Sequence, residues 1–72
     1  MTVATIGVTI NGREAEIPAG LTIAGLLEHR GVHTAMVAVE YNGRVLRRTE
    51  FPTVTVSAGD RLEIVQFVGG GD

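Results

Sequence analysis

The sequence predicts a two-layer α+β domain, a mixed β-sheet with one helix lying across one face. Three observations predict it. Alternating apolar residues on either side of Asn11-Gly12 mark a β-hairpin at the start of the chain. One short helical pattern follows, and it is the only one. A strand, a short strand and a final strand, set off by turn residues, complete the chain. A single helix cannot bury both faces of a sheet, so one face should stay open.

In the first element Ile6, Val8 and Ile10 alternate with Gly7 and Thr9, the period of a half-buried strand. Asn11-Gly12 is a strong two-residue hairpin signal, because both residues tolerate positive φ. Ala15 and Ile17, alternating with Glu14 and Glu16, form the return strand, closed by Pro18 and Gly20. Thr22 is placed to cap a helix with its hydroxyl. Ile23, Leu26 and Leu27 recur at i, i+3 and i+4 on one helix face. Arg30 suits the negative end of the helix dipole. Gly31 provides the left-handed stop, with Val32 as the apolar residue beyond it. The helix should run about two and a half turns.

Met36 to Tyr41 reads as the third strand, turned at Asn42-Gly43 into Val45 and Leu46. Thr49 to Pro52 reads as a loop, since Pro52 biases Phe51 away from helix. Val54 and Val56 suggest a short edge segment, Ala58-Gly59-Asp60 a turn, and Leu62 to Phe67 the last strand. In this layout the first and last strands can lie side by side and parallel. Residues 1–68 are the expected domain and residues 69–72 a flexible C-terminal glycine tail.

The bulk numbers narrow the function. With 72 residues, one small domain is expected, burying only about 60% of its unfolded surface. A deep catalytic cleft is therefore improbable on such a scaffold, and a carrier or binding role fits better. Hydrophobic residues make up 44% of the chain, which suits a packed globule. The net charge of −2 comes without a basic cluster, so no nucleic-acid partner is expected. The chain contains no cysteine, which excludes disulfides and thiolate chemistry and suits a cytoplasmic address. There is no signal peptide pattern and no apolar run of membrane length, so no membrane partner is expected. All six basic residues are arginine. The bland reading is a GC-rich genome that favours arginine codons; the sharper one is a protein with an activatable C-terminus that avoids amine targets on itself.

The tail carries the chemistry. Gly69-Gly70-Gly71 follows directly on a strand. Glycine has the widest backbone freedom, so such an arm can thread a narrow channel. An unhindered glycine carboxylate can attack the α-phosphate of ATP and form an acyl adenylate. A sulfur donor can then displace AMP and leave a thiocarboxylate. The carrier supplies position, and a partner must supply the phosphate clamp and magnesium. The glycines are not a phosphate-binding loop, because no helix follows them. Taken alone, terminal glycines favour a frayed end; the strand order upstream favours function.

Three blocks carry a family resemblance: Leu21-Thr22-Ile23-Ala24-Gly25-Leu26-Leu27, Val37-Ala38-Val39-Glu40-Tyr41-Asn42-Gly43, and Gly59-Asp60-Arg61-Leu62-Glu63-Ile64-Val65-Gln66-Phe67-Val68-Gly69-Gly70-Gly71. With them the chain resembles the thiamin-biosynthesis sulfur carriers over nearly its whole length. The resemblance implies a ubiquitin-like β-grasp fold. It implies no cofactor bound by the chain itself, ATP and Mg being used by an E1-like adenylating enzyme. It further implies sulfur from a cysteine desulfurase system and delivery to thiazole synthase. Gly70 and Gly71 match the terminal diglycine, with Gly71 bearing the adenylate and then the sulfur. Three residues depart from the pattern. Asp72 follows Gly71, so the expected carrier requires a tail-trimming protease or is inactive as written. Arg47 stands where relatives often have proline, and Phe51 where they often have tryptophan.

Strand parity adds a docking face. Leu62 and Ile64 should meet the helix, which turns Val65 and Phe67 to the opposite, open face. Met36 and Ala38 can extend this patch beside Val68 and Gly69, and the bland alternative is that Val65 and Phe67 merely cover the sheet.

Other constellations are weaker. His29 and His33 have zinc-compatible helical spacing, but Gly31 between them should end the helix, and no third ligand lies near. Arg44, Arg47 and Arg48 cluster near a turn and could meet an acidic partner, although loop arginines are usually solvated. No serine or threonine has a histidine-carboxylate pair, so an independent enzyme is not expected. The alternatives are a carrier for molybdopterin, cysteine or another metabolite pathway, and a β-grasp interaction module that never meets ATP.

Overall fold

A computed structural model describes residues 4–67. Its strands are β1 (Thr5–Ile10), β2 (Arg13–Pro18), β3 (Val37–Tyr41), β4 (Arg44–Leu46) and β5 (Arg61–Gln66), with one α-helix, α1 (Ile23–His29). The sheet order is β2-β1-β5-β3-β4. β1 and β5 are parallel, with Thr9 opposite Arg61 and Ile10 opposite Leu62. The other neighbours are antiparallel. The last strand is therefore central, held between the first and the third. The expected domain boundary after residue 68 lies outside the described residues.

Each hairpin turns as its sequence dictates. Asn11 and Gly12 have φ of 52° and 81°, and Asn42 and Gly43 have 49° and 86°. Two consecutive positive φ values suit the right-handed twist of the flanking strands. The helix is capped as expected: the Thr22 hydroxyl accepts from the Gly25 N–H at 3.1 Å. At its end Gly31 takes φ +74°, the Gly31 N–H donates to Glu28 O, and the Val32 N–H donates to Leu27 O. Those two bonds use carbonyls that the helix end would otherwise leave free. α1 is seven residues long, about two turns against the two and a half expected.

One face of the sheet meets α1. Ile23, Leu26 and Leu27 are fully buried against Val8, Ile10, Ile17, Val37, Val39, Leu46 and Leu62. Each such side chain stabilises the fold by about 1.5–3 kcal/mol.

Three segments differ from the sequence reading. Met36 ends a 3₁₀ turn (Thr34–Met36) rather than opening β3. Arg48–Glu50 is also 3₁₀, and Phe51 is helical at φ −55°, ψ −43° in spite of Pro52. Burial outweighs the local bias: Phe51 lies in the core, and its carbonyl accepts from the Ala24 N–H at 2.9 Å. Residues 54–56 do not join the sheet. They pair with the entrance to α1 through a bridge between Thr22 and Thr55, flanked by bonds from Ile23 N–H to Val54 O and from Val56 N–H to Leu21 O. No helix among the described residues is long and apolar enough to cross a membrane.

Candidate functional site

The site is built around β5, the strand that leads into the glycines. Two asparagines grip it, one from each hairpin turn. The Asn11 carboxamide bonds both polar backbone groups of Ile64: Oδ1 accepts its N–H at 2.7 Å, and Nδ2 donates to its carbonyl at 3.2 Å. On the other side Asn42 Oδ1 accepts the Arg61 N–H at 2.8 Å. Asn42 Nδ2 reaches Asp60 Oδ1, and the Tyr41 hydroxyl donates to Asp60 Oδ2 at 2.6 Å. The Ser57 N–H also donates to Asp60. Burial pushes the Asp60 carboxyl up, but the bonds from Tyr41, Ser57 and Asn42 outweigh it and hold the group below its ordinary value. The Tyr41 hydroxyl is raised by its bond to Asp60, helped by partial burial and by the negative charge.

At its far end β5 presents an apolar surface on the face away from α1. Val65 is 56% exposed and Phe67 54%. Val65 lies directly opposite Ala38. The Phe67 N–H donates to Met36 O at 2.8 Å, which sets the 40% exposed Met36 beside Phe67. One row nearer the start of β5, Glu63 faces Glu40 across the sheet. Val45, paired with Glu40, is also exposed. The open face therefore joins an apolar group to an acidic one.

The family model described as "ThiS family" matches residues 8–71. The chain belongs to the ThiS family. A crystal structure of the thiamine biosynthesis protein ThiS from Geobacter metallireducens superposes with a TM-score of 0.79 at 36% identity, over 92% of this chain and all of that one. The sheet of five strands with one helix is thus the ubiquitin-like β-grasp of the ThiS fold. Two proteins named thiazole synthase also match, from Paramagnetospirillum magneticum at 44% identity and Magnetococcus marinus at 39%. Each match covers 86% of this chain but 19% of the thiazole synthase. The chain thus spans about a fifth of the length of these relatives.

Of the residues singled out in the sequence, the fold gathers Met36, Val65 and Phe67 on the open face of this ThiS-family domain. Val68, Gly69, Gly70, Gly71 and Asp72 lie outside the described residues. His29 ends α1 and His33 lies beyond the left-handed Gly31, so one helix face does not carry both. Among the described residues no group of three metal-ligating side chains converges. Two of the arginines are engaged within the fold: Arg44 pairs with Glu50 at 3.1 Å, and Arg48 donates to Ala35 O. The Arg47 N–H donates to Glu50 Oε1 at 2.7 Å, a bond that proline at this position could not make. The grip of Asn11 on Ile64 was not evident from sequence. The available signal was asparagine rather than glycine at the first turn position, which leaves a carboxamide free to bond elsewhere.

Proposed function

We propose that this chain is a sulfur carrier of thiamin biosynthesis, working through a thiocarboxylate on Gly71. The carrying observation is the central, gripped strand β5 leading past an exposed apolar surface into the glycines. Membership of the ThiS family supports it. The chemistry needs a chain that ends at Gly71, so a protease must cut the bond to Asp72. An E1-like enzyme supplies ATP and Mg. The Gly71 carboxylate oxygen attacks the α-phosphorus and pyrophosphate leaves. A persulfide from a cysteine desulfurase system attacks the acyl carbon, and AMP leaves with the bonding pair. A thiol then cleaves the S–S bond and frees the thiocarboxylate.

Thiazole synthase is the proposed acceptor. The two thiazole synthases that contain a segment similar to this chain support a working association between such domains and that enzyme. The carrier itself holds no nucleotide in this scheme. Its contribution is a fixed origin for the tail and a docking surface of Met36, Val65 and Phe67. Burying that surface in a partner favours association, whereas a charge placed there stays solvated and opposes it. Replacement of Phe67 by Asp in the chain ending at Gly71 should abolish adenylation, read as ATP–pyrophosphate exchange with the cognate enzyme, and leave the circular dichroism spectrum unchanged. Normal exchange by the variant would remove the docking surface from the proposal. No exchange by the wild type would point to a pure interaction module.

A further inference from the structure

β5 is not held alike along its two sides. Residues of a strand direct their backbone polar groups alternately to the two neighbours. Phe67 bonds toward β3 through the Met36 carbonyl. The Leu62 carbonyl bonds toward β1, accepting from the Asn11 N–H at 2.9 Å. β1 then turns away, and regular pairing with β5 ends at Ile10 and Leu62. Ile64 should therefore meet nothing on that side. Instead the Asn11 carboxamide, itself an amide with one donor and one acceptor, stands where the next peptide group of β1 would stand. By the same alternation Gln66 turns its N–H and carbonyl to this side, past the end of β1. Ile64 is thus where the grip on the β1 side stops.

We infer that Asn11 is a positioning residue for the tail: its side chain fixes the point and direction from which β5 delivers the C-terminal glycines to a partner's reaction centre. This deepens the carrier reading and rests on it. The docking surface lies on the open face and does not use Asn11. Loss of the carboxamide leaves that surface intact and loosens the strand from which the reacting carboxylate is aimed. Misplacement of a reacting group by about 1 Å costs on the order of a hundredfold in rate, and partial loosening costs less. The effect belongs in kcat rather than KM.

The molecule supplies its own control. Asn42 has the same turn conformation at φ 49° and also grips β5, but at Arg61, the end remote from the tail. Asn11→Gly and Asn42→Gly both keep the positive φ that the turns need and both delete a carboxamide. ATP–pyrophosphate exchange would be measured with the cognate adenylating enzyme and the chain ending at Gly71. Asn11→Gly should lower kcat about tenfold with KM within about twofold of wild type. Asn42→Gly should lower kcat clearly less than Asn11→Gly does, although it too is destabilised. Asn11→Gln, which retains an amide on a longer arm, should recover part of the kcat. Amide hydrogen exchange should accelerate at Ile64, whose N–H the carboxamide holds, in Asn11→Gly and not in Asn42→Gly. Equal kcat losses in the two glycine variants, or an unchanged kcat in Asn11→Gly with faster exchange at Ile64, would overturn the inference and leave the carrier reading standing. Failure of the wild type to be adenylated overturns both.

Discussion

At the scale of single residues, Asp60 shows how a side chain that reads as a turn residue becomes a junction. Its neighbours Ala58-Gly59 announce a turn, and the turn is there, with Gly59 at φ +86°. The partners Tyr41 and Asn42 come from another hairpin, and no local pattern points to contacts across that separation. The pH dependence follows from the two shifts. Asp60 titrates below its unfolded value, so its stabilisation is complete above about pH 4 and is lost as pH falls through the folded pKa. Tyr41 titrates above its unfolded value, so its stabilisation holds below about pH 10 and is lost as pH rises through the folded pKa. Tyr41 is the sole tyrosine, so phenolate absorbance reads it directly and should show a midpoint above that of free tyrosine. Tyr41→Phe should cost about 1–3 kcal/mol in urea unfolding at neutral pH. It should also move the acid-unfolding midpoint upward, because Asp60 loses the hydroxyl that favours its charged form.

At the scale of elements, α1 was legible almost to the residue because its limits are set by local chemistry. Thr22 caps it and Gly31 stops it, and both signals lie in the sequence itself. Phe51 was misread for the opposite reason. Its helical conformation is imposed by burial and by a bond from Ala24, which a rule about the residue before proline does not include. The two glycines of the helix region give predictions of opposite sign. A Cβ on Gly31 meets nothing within 4 Å, so the cost of Gly31→Ala comes from φ +74° alone, about 1–2 kcal/mol. A Cβ on Gly25 makes an ordinary contact of 3.4 Å with Leu21 Cδ2, and the residue lies inside α1. Gly25→Ala should therefore stabilise the protein by about 0.5–1 kcal/mol. Thermal unfolding followed by circular dichroism should raise Tm for Gly25→Ala and lower it for Gly31→Ala. A rise in both would show that Gly31 is not held in the left-handed region.

At the scale of the whole molecule, the sheet divides the labour. The face against α1 takes the aliphatic residues that hold the fold, while the open face keeps Met36, Val65 and Phe67 in solvent. Strand alternation made both faces readable, since a period of two assigns each residue a side once one neighbour is known to be buried. The bonds from Asn11 to Ile64 were not readable, because they depend on where β1 ends relative to β5, a matter of register between segments far apart in the chain. A domain of this kind exposes apolar surface at one end of its central strand and continues that strand into glycines. On the proposed carrier reading, both features serve a reaction performed in another protein's active site, and that reaction would leave its covalent record on Gly71. Protein isolated untagged from its native host grown without thiamin should therefore contain a species that ends at Gly71. Its intact mass should correspond to replacement of one carboxylate oxygen by sulfur. Adding thiamin to the medium should reduce that species if demand for the pathway governs loading. If the protein instead retains Asp72, and gains no sulfur when adenylating enzyme, ATP and a persulfide donor are supplied, Gly71 is not a sulfur-bearing terminus. The exposed surface around Phe67 would then serve association alone.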